Sequence, residues 1–389
     1  MPKPICCPPA RYDTFRRGAY LAIIHDGDYL SPARKTPKHS TKDTNRPALD
    51  AAVDLTRLLD IVAAFSKQTI CVLGDFVLDE FASCEISRIS REAPVLILRH
   101  RRTEAYPGGA ANAVNNLADL GARVVPVGVL GTDAGGRALL DQFRRKRINT
   151  SGIVTARNWL TTTKTRFLAG WTHTTEQQVL RVDREPTGTL SAGLQAAVEQ
   201  KARRLAKQAD AILVSDYGLG AATPALVRKL PAKRIMLDSR YRLREYAAAG
   251  ITAATPNEPE LEAAYQTQNG ANAAKLDELG TRALRELGGE ALVVTRGKDG
   301  MAVFENGARG SHRARHIPIY GSDAPVDVTG AGDTVIAVFT LAVAAGASYF
   351  EAAHLANYAG GIVVMKRRTA TVTRAELEST LRHEATAQH

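Results

Sequence analysis

Two hydrophobic patterns alternate along this chain. From Leu190 onward, short apolar runs alternate with stretches whose apolar residues fall three and four apart. AILVSDYG, RIMLDSR, GITAATPN and ALVVTRG predict buried strands. Helices are expected over 191–208, 223–230, PELEAAYQ and 275–287, and GMAVFENG reads as a hairpin arm. Upstream, TICVLG and RVVPVGVLG read as strands flanking the helix ANAVNNLADLG. The chain closes with helices over 330–345, from Ser348 to about Lys366, and from Thr373. Buried strands separated by helices predict a mostly parallel sheet covered on both faces, a three-layer α/β/α fold.

The second pattern interrupts the first. Glu85 to Arg101 alternates polar and apolar residues, with APVLILRH as a strand, and TTTKTRFLA and QQVLRVD follow later without long intervening helices. These segments, about 84–106 and 158–184, predict a small antiparallel sheet set apart from the main one, in the position of a lid.

Length and charge narrow the picture. The chain has 389 residues, enough for one large α/β domain with appendages. Residues 1–66 read as a Pro-, Arg-, Lys- and Thr-rich extension ending in an amphipathic lead-in helix, LDAAVDLTRLLDIVAAF. The domain proper is expected over 67–389. No apolar run approaches the ~20 residues of a membrane helix. The net charge of +11 is spread out: residues 1–67 hold 11 Lys and Arg against 7 Asp and Glu. With no DNA-binding motif and no basic strip interleaved with aromatics, a nucleic-acid partner is not expected. The surplus instead suits anionic small molecules. Cys6, Cys7, Cys71 and Cys84 lack zinc-ligand spacing and point to a reducing, cytoplasmic setting.

The candidate chemistry centres on Asp327-Val328-Thr329-Gly330-Ala331-Gly332-Asp333-Thr334, a glycine-rich turn running into the apolar helix VIAVFTLAVAA. Unpaired N–H groups at a helix start, together with its dipole, favour a phosphate. A carboxylate there is repelled by the phosphate unless it has a task. Asp333 is therefore either a general base for an attacking hydroxyl or an ordinary N-terminal cap. Asp75 and Asp79 follow a buried strand, at the end of the sheet where ligands gather, and are candidates for binding sugar hydroxyls. Asp75 as a turn cap is the alternative. Gly108 and Gly109 allow close backbone approach, and Asn112 offers both a donor and an acceptor. No P-loop or G-x-G-x-x-G after a strand occurs, and HEATAQH lacks the spacing of HExxH.

PGGAANAVNNLADLGARVVPVGVLGTD and DVTGAGDTVIAVF, about two hundred residues apart, resemble the two signature regions of the ribokinase-like (PfkB) sugar kinases. The resemblance covers roughly 68–380. It implies a ribokinase-like fold with a β lid, Mg·ATP as phosphoryl donor, and a sugar hydroxyl as acceptor. It implies Asp333 as base, with Gly330, Ala331 and Gly332 as the anion hole. Thr295, Arg296, Gly297 and Gly300 match the nucleotide loop. Asn257 and Glu260 match the element near Mg²⁺ and the phosphates, Glu260 acting on the metal indirectly, and Asn357 falls near the adenine. A homodimer through the lid is also implied.

GDFVLDEF, SRISREAPV, TTTKTRF, QQVLRVDRE and SDYG are similar to the branch acting on D-glycero-D-manno-heptose 7-phosphate, on the way to the nucleotide-activated heptose of lipopolysaccharide. A substrate carrying a phosphate needs cations, and Arg88, Lys164, Arg166 and Arg181 are the candidates. Lys164 and Arg166 share one strand face by alternation. Two departures stand out: Leu219 where that branch has Lys, and Arg368 where it has Gly. With no HxGH-type motif before His389, the kinase activity alone is expected. A PfkB kinase for another sugar or nucleoside, and a non-catalytic sugar- or nucleotide-binding regulator, are the competing readings.

Overall fold

The structure, a computed structural model, describes residues 53–170, 176–231, 233–268, 272–307, 311–322 and 324–387. Of the extension expected over 1–66, residues 1–52 lie outside the described residues, Cys6 and Cys7 among them.

The chain enters through α1 (Leu55–Ala63) and runs through β1 (Thr69–Gly74), β2 (Phe76–Ile89), β3 (Leu96–Gly109), α2 (Ala110–Asp119), β4 (Arg123–Gly131), α3 (Ala134–Arg145) and β5 (Ile153–Ala156). Then come β6 (Thr162–Gly170), β7 (Gln177–Arg184), α4 (Ala192–Ala206), β8 (Ala211–Asp216), α5 (Pro224–Val227), β9 (Arg234–Ser239) and β10 (Ala253–Ala254). The remainder is α6 (Glu258–Tyr265), α7 (Ala273–Leu287), β11 (Ala291–Thr295), β12 (Met301–Asn306), β13 (His312–Ile317), α8 (Ala331–Ala344), α9 (Tyr349–Val363) and α10 (Arg374–Ala387).

Nine strands form the main sheet in the order β13-β12-β11-β10-β9-β8-β1-β4-β5. It is parallel from β11 to β5, and β12 and β13 add an antiparallel edge. Alternation explains the layers. Ile70 and Val72 of β1 pack into a core with α1, α2, α8, α9 and α10, whereas Cys71 and Leu73 join a second core with α4, α6 and α7. Helix α8 is buried from Asp333 to Val343, so it is hydrophobic all round.

Two expectations change. The lead-in helix packs into the domain rather than lying outside it: Leu55, Leu58, Ile61 and Val62 are buried in the first core. The small sheet, in the order β3-β2-β6-β7, is mixed, because β2 and β6 run parallel while its other pairs are antiparallel. Both strands leave the same end of the main sheet, β2 directly after β1 and β6 after β5, which gives them one direction.

Candidate active site

Two cavities open beside the start of α8 and meet there; Val328, Gly332 and Thr295 line both. The first, about 290 Å³, lies between the carboxyl ends of β8, β9 and β11 and the roots of β2 and β6. The second, about 390 Å³, lies between the loop after β11 and helix α9.

Asp333 sits in the first turn of α8 and is 4% exposed. Asn112 Nδ2 donates to its Oδ2 at 3.0 Å, and the Tyr217 hydroxyl donates to its Oδ1 at 2.9 Å. Burial pushes its pKa up to about 7, against the two hydrogen bonds; the Asp79 charge adds to the rise and Lys164 opposes it. Asp333 makes no capping bond, since α8 has no side-chain cap. Gly330 is the N-cap residue at φ 80°, a conformation that suits glycine, and a Cβ there would lie 2.5 Å from Asn112 Nδ2. The turn uses the Ala331 N–H, which donates to Val328 O at 3.2 Å. The N–H groups of Gly332 and Asp333 remain as first-turn donors among the described residues.

The lid brings Asp79, Lys164 and Arg166 to the first cavity. Asp79 and Arg166, both nearly buried, form an ion pair at 2.6 Å. Arg166 is therefore neutralised by Asp79 rather than standing as a free cation for phosphate. Lys164 is half-buried, 5.8 Å from the Tyr217 ring centroid, and burial lowers its pKa, with Arg240 contributing next. Asn257 and Glu260 also line this cavity, joined in a capping box at the start of α6. Burial raises the pKa of Glu260, with hydrogen bonds from Asn257 working against it.

Thr295, Gly297 and Gly300, expected to form a nucleotide loop, line the second cavity with Ala331 and Asn357, whose Nδ2 donates to Pro318 O at 2.8 Å. Arg296 turns away and pairs with Glu258 at 3.6 Å.

Five expected sugar-side contacts fall elsewhere. Asp75 accepts from the backbone N–H groups of Tyr217, Leu219 and Ala221, so its oxygens hold a loop instead of facing the cavity. Asn112 is fully buried and reaches Asp333 and Gly330 O, not open space. Gly108 serves Asp79: a Cβ there would meet Asp79 Oδ2 at 2.3 Å. Arg88 lies exposed near the far end of β2. Arg181, on exposed strand β7, is paired with Asp183 at 2.9 Å.

The sequence reading missed Tyr217, Asp238, Arg240 and Thr255. All follow or end the buried strands β8, β9 and β10, so the carboxyl-end argument applied to Asp75 would have found them. The pKa of Asp238 is raised well above the carboxylate range, by burial first and by the Glu260, Asp333 and Asp216 charges next. Among the described residues Arg240 makes no ion pair; it stacks on Tyr241 at 5.6 Å. Arg368 adopts φ 67° and reaches Glu104 on β3, while its N–H donates to Asp327 at 2.7 Å. The main chain there thus fits glycine, and the side chain ties the last loop to the lid.

A layered sheet with adjoining polar and apolar cavities on either side of a glycine-rich helix start can seat an acceptor and a phosphate-bearing donor side by side. Residues 67–375 match the pfkB family carbohydrate kinases, and the chain belongs to that family. It is 38% identical over 341 residues to the bifunctional protein HldE of Desulfatibacillum aliphaticivorans, covering 84% of this chain and 65% of the relative. It is 39% identical over 331 residues to that of Mesorhizobium japonicum, covering 82% and 63%. The chain thus spans slightly under two thirds of these relatives' length. In fold it is similar to Arabidopsis thaliana ribokinase complexed with ribose and ATP (TM-score 0.62, 17% identity, 81% of this chain and 98% of that one). It is also similar to Escherichia coli phosphofructokinase-2 in complex with substrates and products (TM-score 0.65, 16% identity, 82% and 99%).

Proposed function

We propose that the chain transfers the γ-phosphoryl group of ATP to the anomeric hydroxyl of a sugar phosphate, D-glycero-β-D-manno-heptose 7-phosphate. The observation that carries this reading is the pairing of a buried carboxylate, Asp333, with the cations Lys164 and Arg240 in one polar cavity. The apolar cavity beside it is left for adenine. Ionised Asp333 takes the proton from the attacking hydroxyl, and the N–H groups of Gly332 and Asp333 hold the phosphoryl oxygens as negative charge shifts. Asp79, fixed by Arg166, accepts from sugar hydroxyls. Lys164 and Arg240 bind the distal phosphate, Arg240 offsetting the cation lost at Leu219.

Oxygen donors on one wall suit Mg²⁺. Thr255 Oγ1 is buried without a partner there, next to Asn257, Glu260 and Asp238. Among the described residues no group of three or more His, Cys, Asp or Glu that could hold a metal ion is found; Mg²⁺ here would be held by one or two carboxylates plus substrate phosphates. When bound, Mg²⁺ would neutralise phosphate charge. The buried free thiols Cys71 and Cys84 support a reducing, cytoplasmic compartment.

ATP turnover over a panel of sugars, sugar phosphates and nucleosides tests the proposal. Heptose 7-phosphate should give the highest kcat/KM. A nucleoside or an unphosphorylated sugar ahead of it would overturn the substrate assignment, and no turnover with any acceptor would favour a binding protein.

The exposed apolar residues Val179, Leu180 and Val182 on edge strand β7 support a homodimer through the small sheet. Light scattering at micromolar concentration should give twice the chain mass; a monomer throughout would remove this assembly.

A further inference from the structure

Asp75 is a puzzle as it stands. It is 2% exposed, and burial pushes its carboxyl up to about 6, yet it does not line the reaction cavity. Its bonds explain it. Oδ2 accepts from Tyr217 N at 2.9 Å and Leu219 N at 3.0 Å, and Oδ1 accepts from Ala221 N at 2.9 Å. Three backbone donors converging on one carboxylate fix the loop that follows β8. That loop carries two glycines at positive φ, Gly218 and Gly220, and lacks regular structure of its own to hold it.

The product of this anchoring is the placement of one ring. Tyr217 lies against Gly109, where an added Cβ would come within 3.3 Å of its Cε2. Lys164 sits on the ring at 5.8 Å, and the hydroxyl ends 2.9 Å from Asp333 Oδ1. The other oxygen of Asp333 is held by Asn112, itself fixed by Asn116 Nδ2 donating to its Oδ1 at 3.1 Å. The carboxylate is thus gripped from two sides by two different elements.

We propose that Tyr217, aimed by Asp75, is a positioning residue that orients Asp333 and makes it a weaker, more readily ionised base. The inference rests on the base role proposed for Asp333. A phenol donating to a carboxylate stabilises the ionised form, and burial opposes that form. The Tyr217 hydroxyl stays protonated throughout the working range, because burial and the Asp333 and Asp238 charges raise its own pKa well above the usual value. Asp79 from β2, Lys164 from β6 and Asp238 from β9 also act on Asp333, and all three side chains are retained in Tyr217→Phe, as is the ring beneath Lys164.

The test is the pH dependence of kcat at saturating ATP and heptose 7-phosphate. Tyr217→Phe removes one donor to an ionised group. The acid limb should move up by about one pH unit, with kcat at pH 7 falling roughly fivefold and the nucleotide KM within about twofold of wild type. Above the limb, kcat should recover, whereas simple misplacement would lower it at every pH. Tyr217→3-fluorotyrosine keeps the shape and donates more strongly, so its limb should move down; it decides the matter alone if Tyr217→Phe fails to fold. Limbs that superimpose on wild type would overturn the inference. Asp333→Asn, measured alongside, separates the two claims. An inert Asp333→Asn with unmoved limbs removes only the role of Tyr217, while an active one removes the base and the inference together.

Discussion

On one side of Gly332 the cavity wall carries Asp79, Lys164, Arg166, Asp238, Arg240 and Glu260; on the other it carries Met301, Ile319, Pro325, Val335 and Val364. The charged side is assembled from β2, β6, the ends of β8 to β10 and the start of α6, and its groups bond and perturb one another. The apolar side is mostly shape, with glycines that leave room and Asn357 held by Pro318 O. Charge directed at a reacting centre must be oriented and partnered, because an unpaired buried charge costs several kcal/mol. A site for a flat base needs only apolar walls and a few polar groups. The polar side is therefore where substitutions should change chemistry, and the apolar side where they should change nucleotide affinity.

The largest break of that comparison should come at their junction. Asp333→Asn should lower kcat by ~10²–10⁴-fold while ATP affinity stays within about threefold, because the carboxylate acts on the acceptor side only. Direct nucleotide titration alongside steady-state rates checks this. Wild-type kcat should also fall as pH drops below about 7, since protonating Asp333 removes the base. A flat kcat between pH 6 and 8 with chemistry limiting would contradict it.

The two sides were not equally legible in the sequence. The helix start at Gly330 is local, its residues neighbours in the chain, so spacing reveals it; the stretch at 295–300 and the pair Asn257 and Glu260 are local too, and there the family resemblance supplied the match. The fold was legible for the same reason, since periodicity is a local property. The polar cavity is not local. Asn112 and Asp333 meet across 221 positions, and Tyr217 and Asp333 across 116. Nothing in PGGAANA shows that Asn112 will turn inward onto a carboxylate. Asp75 and Asp79 look alike after β1, yet Asp75 falls before the first residue of β2 and faces the backbone of the next loop, while Asp79 lies within β2 and reaches the cavity. The parallel pairing of β2 with β6 was hidden likewise, because register between distant strands leaves no mark in either one.

The central claim is that Lys164 reads a phosphate on the sugar while the nucleotide lies beyond Gly332. The most direct measurement is kcat/KM for heptose 7-phosphate and for the corresponding unphosphorylated heptose, in wild type and in Lys164→Ala, with ATP affinity followed in both. A lost charge-assisted hydrogen bond is worth about 1.5–3 kcal/mol. Use of the sugar phosphate should therefore fall roughly ten- to a hundredfold. The free sugar should remain a poor substrate, changed little by the substitution, and ATP affinity should hold. Equal losses for both sugars, or an unchanged kcat/KM for heptose 7-phosphate, would contradict the account.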